Sequence, residues 1–154
     1  MMRRAAIVLA LVIVSPVALA APAQAQETAE QAAAQTAEQA ADTARMNASA
    51  KVLHRALDAW RARNFEGWLA NYSDDIVIKG TGFTILGRKE MRLLYEPIFQ
   101  ARIPAPKILE SGWTGERVYI RQLEYLDKST PDGVSYSEYE VRGGKIVAVY
   151  GWAE

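Results

Sequence analysis

NFEGWLANYSDDIVIKGTGFTILG, residues 64–87, changes its periodicity half-way. Phe65, Trp68, Leu69 and Tyr72 stand at i, i+3, i+4 and i+7 behind an Asn64 placed to cap, which predicts a short amphipathic helix. Ser73-Asp74-Asp75 ends that helix. Ile76 to Lys79 and Phe83 to Leu86 then read as two strands about Gly80-Thr81-Gly82, a hairpin. A helix that hands directly to a hairpin sets the order of everything around it.

Upstream, Val52, Leu53, Ala56, Leu57 and Trp60 recur at helical spacing while Lys51, Arg55, Asp58 and Arg61 take the other side. Downstream, Gly87 opens a third helix with Met91, Leu94, Tyr95, Ile98 and Phe99 on one stripe. Pro97 is expected to kink it, because proline lacks a backbone donor and crowds the carbonyl of Leu93. Beyond Pro104 and Pro106 come four strand-like runs, 107–114, 117–127, 134–142 and 145–152. Gly115, Pro131-Asp132-Gly133 and Gly143-Gly144 separate them, the pattern of an antiparallel meander. The class is α+β, three helices packed on a curved, mostly antiparallel sheet.

The 154 residues, 50% hydrophobic and 23% charged, allow one globular domain. Residues 1–25 are expected to be a secretory signal peptide. Met1-Met2-Arg3-Arg4 is basic, Ala5 to Val14 is an unbroken apolar run too short to span a bilayer, and Ala23-Gln24-Ala25 has small residues at the cleavage spacing. That implies an exported protein, periplasmic or secreted, cut after Ala25 and free of the membrane; an uncleaved anchor is the alternative. Residues 26–46, rich in Ala, Glu and Gln, lack large apolar side chains and read as a fraying helix or disordered spacer, leaving 47–154 as the domain. The absence of cysteine excludes disulfides and a lipoprotein anchor. Losing Arg3 and Arg4 leaves 16 basic against 18 acidic residues, a charge of −2 with no basic run, so nucleic acid is an unexpected partner. One histidine and scattered acids give no metal-ligand spacing, and no cofactor is expected.

Several residues together resemble the nuclear transport factor 2-like superfamily, in its SnoaL-like and ketosteroid-isomerase-like branches. They are Asn64-Phe65-Glu66-Gly67-Trp68, Tyr72-Ser73-Asp74-Asp75, Gly87 to Tyr95 with Met91 and Tyr95, and Gly143-Gly144-Lys145-Ile146-Val147. The resemblance covers about residues 48–153 and implies a cone whose curved sheet wraps a long helix. It spans isomerases, cyclases, dehydratases, epoxide hydrolases and proteins without catalysis, so fold alone does not choose among them. Where ketosteroid isomerases carry a base, a tyrosine donor and a protonated acid, the resemblance aligns Gly80, Ala56 and Ser137, with Glu138 one residue off. Scytalone-dehydratase-like chemistry needs two histidines, and His54 is alone. The Arg-x-Asp strand motif of limonene-epoxide-hydrolase-like enzymes is missing, since Arg121 precedes Gln122, Leu123 and Glu124.

The family's register would turn Tyr119, Arg121 and Leu123 into the cone from one strand and Ser135, Ser137, Tyr139 and Val141 from its neighbour. Opposite parity would place Gln122, Glu124, Tyr136 and Glu138 inside. An inward Arg121 would hold an anionic ligand, pair with a carboxylate such as Asp75, or reach solvent. Tyr72 and Tyr95 are candidates for a pocket lid, while Trp60 and Trp68 read as core. Asp75 reads as a base at the pocket mouth, as a cap on the hairpin or as the partner of a lysine; His54 sits beside the apolar stripe, facing water.

Three functions follow: a small-molecule pocket lined by Arg121, Tyr72, Tyr95, Tyr119, Ser137 and Tyr139; an enzyme using Tyr72, Asp75 and Arg121; or an assembly module. A homodimer is expected through the outer sheet face, which on this reading carries Val118, Ile120, Ile146, Ala148, Tyr150 and Trp152.

Overall fold

A computed structural model describes the backbone of residues 21–154 and the side chains from residue 29 onward. The expected leader lies outside the described residues except for positions 21–25, which are helical. Helix α1 runs from Ala21 to Arg61, so residues 26–46 are helical in continuity with the amphipathic segment. Ala, Glu and Gln all favour helix. Contacts divide the chain after Glu38. Residues 29–38 of the first unit have exposed side chains. In the second unit α1 buries one face only, through Ser49, Val52, Leu53, Ala56 and Trp60. Among the described residues no helix is long and apolar enough to cross a membrane.

Helix α2, Phe65–Leu69, starts as its sequence requires: the Gly67 N–H donates to Asn64 Oδ1 at 2.8 Å. It stops sooner than the apolar spacing predicts. Tyr72, expected on its stripe, instead opens strand β1, Tyr72–Gly80. The cause is Asn71. Its side-chain amide donates to the carbonyls of Gly67 at 2.8 Å and Trp68 at 3.3 Å, satisfying the helix end. Its own carbonyl accepts from Ile146 N–H at 2.8 Å, which starts the sheet.

Strand β2, Phe83–Leu86, completes the expected hairpin, with Ile78 opposite Ile85. Gly87, at φ +79, turns the chain at once into α3, Gly87–Gln100. The Leu86 N–H donates to Glu90 Oε2 at 2.7 Å across that turn. Pro97 lies inside α3, which continues past it to Gln100. Strands β3 (Lys107–Trp113), β4 (Val118–Tyr125), β5 (Pro131–Arg142) and β6 (Lys145–Ala153) follow. The sheet order is β2-β1-β6-β5-β4-β3, antiparallel throughout except where β1 meets β6.

The opening helices and α3 meet in an aromatic cluster. Trp60 stands edge-on to Trp68, with ring centroids 5.2 Å apart, and Phe99 lies 4.6 Å from Trp60. Trp68 is also 5.0 Å from Tyr72 and 4.9 Å from Tyr95. Each such pair adds about 1 kcal/mol to the burial itself. Both tryptophans belong to the core, as their stripes predict.

Residues paired across an antiparallel ladder share a face, and this settles the register. Ile120 pairs with Ser137, Gln122 with Ser135, and Arg121 with Tyr136. Ile120, Gln122 and Ser137 are buried beneath the helices, so Arg121 and Tyr119 occupy the convex face. The expected outer set is corrected accordingly: Val118 and Ile120 are core residues. Ile146 joins them, because β6 inserts Val147 between the partners of Glu140 and Val141 and so reverses its parity. Tyr150 and Trp152 remain on the convex face; Ala148 shares that side by register but is itself buried.

Candidate functional site

The sheet's concave side and the helices form a half-open cavity of about 330 Å³, within the usual size of small-molecule sites. Each element contributes by its register. β5 supplies Ser135, Ser137 and Tyr139; β4 supplies Gln122 and Glu124; β6 supplies Val149 and Gly151. Tyr72 enters from the start of β1, and Met91 and Tyr95 from α3. Gly151 lies opposite Ser137, and a Cβ there would sit 3.2 Å from the serine Oγ, so its missing side chain leaves room over the hydroxyl.

Glu124 is the one acidic side chain on this wall. Its Oε1 accepts from Ser135 Oγ at 2.5 Å and from Gln122 Nε2 at 3.1 Å. Three buried phenols share the wall with it, and each is held neutral. Burial pushes the Tyr72 hydroxyl well above its ordinary pKa, helped by Tyr139 and Tyr95. Burial, then the Glu124 charge, pushes Tyr95 up to about 12. Tyr139 rises as well, from burial first and then from Tyr95 and Glu124. The wall therefore offers one hydrogen-bond-accepting carboxylate beside neutral donors.

Four residues expected at a pocket, Tyr72, Tyr95, Ser137 and Tyr139, do line this cavity. Three others do not. Arg121 grips Glu154 on the convex side, Nε to Oε1 at 2.7 Å and Nη2 to Oε2 at 2.8 Å. Tyr119 stacks on Tyr136 there and donates to Glu110 Oε1 at 3.1 Å. Asp75 is exposed and lines neither this cavity nor the smaller one adjoining it. His54 is exposed too. Glu124 and Gln122 were reachable only through the opposite parity of β4. The signal for that parity was the apolar pair Val118 and Ile120 on the same face.

The positions aligned with the isomerase base, donor and acid all reach a cavity wall: Gly80 and Ser137 the larger, Ala56 the smaller one adjoining it. At Gly80 the Phe83 ring takes the space, since a Cβ there would meet Cε1 at 2.1 Å. Among the described residues no cluster of three His, Asp or Glu side chains is placed to hold a metal.

Neither a family model nor a curated protein matches the chain by sequence. Solved structures do match. An LEH-like epoxide hydrolase from Mycobacterium tuberculosis superposes with a TM-score of 0.61 at 20% identity, over 71% of this chain and 85% of its own. A ntf2-like protein of unknown function from Mesorhizobium loti gives 0.61 at 19% identity, over 71% and 93%. This chain has the nuclear transport factor 2-like fold. A de novo designed protein with a curved β-sheet also superposes, with a TM-score of 0.58 at 15% identity over 70% and 86%. Chains this similar in fold thus include an LEH-like epoxide hydrolase and a designed protein, and the function has to be argued from the cavity.

Proposed function

We propose that this nuclear transport factor 2-like protein is a SnoaL-like pocket protein that binds a small, neutral organic molecule carrying a hydroxyl or N–H donor. The observation that supports this is Glu124, held by Ser135 and Gln122 on a wall of phenols, small hydroxyls and apolar groups. Lys79 also borders the cavity, but its ammonium lies 5.9 Å from the centre of the Tyr150 ring, away from Glu124 on the convex side. A carboxylate in that position repels an anion and rewards a donor. Arg121, the residue that would have favoured an anionic ligand, faces the other way. Calorimetry with naphthol and naphthoate tests the reading. Naphthol is expected to bind and naphthoate to fail; the reverse order would overturn it.

A second reading treats Glu124 as a general base, in an isomerase, cyclase or hydrolase. Its support is that Glu124 faces Tyr95 and Tyr139, whose neutral hydroxyls would donate to an enolate oxygen as Glu124 takes the neighbouring proton. Deuterium exchange at the α-carbon of tetralone, followed by NMR, tests this directly. Acceleration lost in Glu124→Gln supports it, and exchange no faster than in buffer removes it.

The same proposal includes export, to the periplasm or medium, on the strength of the basic start, apolar run and Ala23-Gln24-Ala25. It also includes a homodimer through the convex face. There Tyr119, Tyr136 and Trp152 stack in a band across three strands, with centroids 5.5 and 4.7 Å apart, and Trp152 is 44% exposed.

A further inference from the structure

Adjoining the main cavity, on the side of α1, is a second, smaller one of about 110 Å³, between α1 and β4. Tyr72, Tyr95, Gln122, Glu124 and Tyr139 face both. The remaining wall of the inner cavity is apolar: Leu53, Ala56, Leu57, Trp60, Trp68 and Ile120 are among its residues. The single methyl of Ala56 leaves this space; a longer side chain at that position, one turn below Trp60 on the buried face of α1, would occupy it.

We propose that the two cavities form one bipartite site, whose ligand carries a ring system in the outer cavity, a donor group at Glu124, and a short alkyl group in the inner cavity. This rests on the neutral-ligand reading above and adds the shape of the ligand to it. Volume fixes the size of the alkyl group. A cavity of about 150 Å³ accepts benzene, so the inner space takes a chain of roughly three carbons rather than a second ring. Polarity fixes the order of the parts. The polar atoms of Gln122 and Glu124 and the three phenols lie where the cavities adjoin, and a hydroxyl-bearing carbon between ring and chain meets them there. An alkyl aryl carbinol has this sequence of groups.

The probes are methyl naphthyl carbinol and propyl naphthyl carbinol, titrated by calorimetry into the full-length chain and followed also by tryptophan emission, since Trp60 and Trp68 line the inner cavity. Two extra methylenes, each worth about fourfold on burial, predict that the propyl compound binds about fifteenfold more tightly. Ala56→Leu, which fills the inner space, is expected to abolish that preference. Leu57→Phe, at a partly exposed position, serves the same purpose should the first variant fail to fold. Equal binding of the two carbinols, or a preference that survives both variants, overturns the bipartite site while the neutral-ligand reading stands. Binding of neither carbinol overturns that reading and the bipartite site with it.

Discussion

Ser135 Oγ lies 2.5 Å from Glu124 Oε1, a diagonal contact across the β4–β5 ladder in which Ser135 itself pairs with Gln122. The hydroxyl thus orients the carboxylate toward the cavity while Gln122 holds it from its own strand. A hydrogen bond to a charged group contributes about 1.5–3 kcal/mol, so Glu124→Gln is expected to weaken naphthol binding at least about tenfold. Ser135→Ala leaves the charge and removes its orientation, and a smaller loss follows. Calorimetry on the two variants gives the order, and a Ser135→Ala loss exceeding that of Glu124→Gln would contradict it.

The buried phenols predict an alkaline limit to stability. Tyr72, Tyr95 and Tyr139 have folded-state pKa values above the unfolded value, so their contribution is complete below the ordinary tyrosine range. It is lost as pH rises through that range, and for Tyr95 the loss ends near its folded value of about 12. Denaturant melts at increasing pH are expected to show falling midpoints from about pH 10. Tyr95→Phe should flatten the slope.

Arg121→Met is expected to leave cavity binding untouched, because the guanidinium is committed to Glu154 on the far side of the sheet. Both partners are substantially exposed, and such pairs contribute little to stability. A loss of naphthol affinity in this variant would place the residue inside and refute the face assignment.

The convex band predicts an oligomer. Light scattering at micromolar concentration is expected to give the mass of two chains, and Trp152→Glu to shift it toward one by placing a charge in the stacked row. A monomer in the unsubstituted chain ends the dimer proposal.

Asn71 carries the last prediction. Its amide closes α2, and its Oδ1 accepts from Arg55 Nε at 3.4 Å. Its carbonyl docks β6, and it is 8% exposed. Asn71→Ala is expected to cost about 2 kcal/mol, read from a chemical denaturation midpoint, by orphaning the helix-end carbonyls.

The helical segments from Asn47 onward were legible because their apolar residues repeat along one stripe, whereas residues 26–46 carry no such stripe and are helical on the propensity of Ala, Glu and Gln alone. The end of α2 was not legible, since the spacing runs on to Tyr72 while a side-chain amide one residue earlier has already closed the helix. The faces of β4 were ambiguous for a reason tied to the site. Its concave side begins with Val118 and Ile120 and ends with Gln122 and Glu124, so the apolar alternation fails where the wall becomes polar. Arg121 and Tyr119, set between them, look equally suited to a pocket. Only the pairing of Ile120 with Ser137 resolves the choice, and cross-strand register is not written within a single strand. The bulge at Val147 had no local signal either.

The parallel seam between β1 and β6 joins strands from opposite ends of the domain. A nascent chain stalled before Lys145 would have two unfinished edges, on β1 and β5, and no closed hollow between them. Such a chain should be a good substrate for chaperones and proteases until its final strand arrives, and assembly should be slow for a domain of this length, because the most distant segments must meet before either edge is covered.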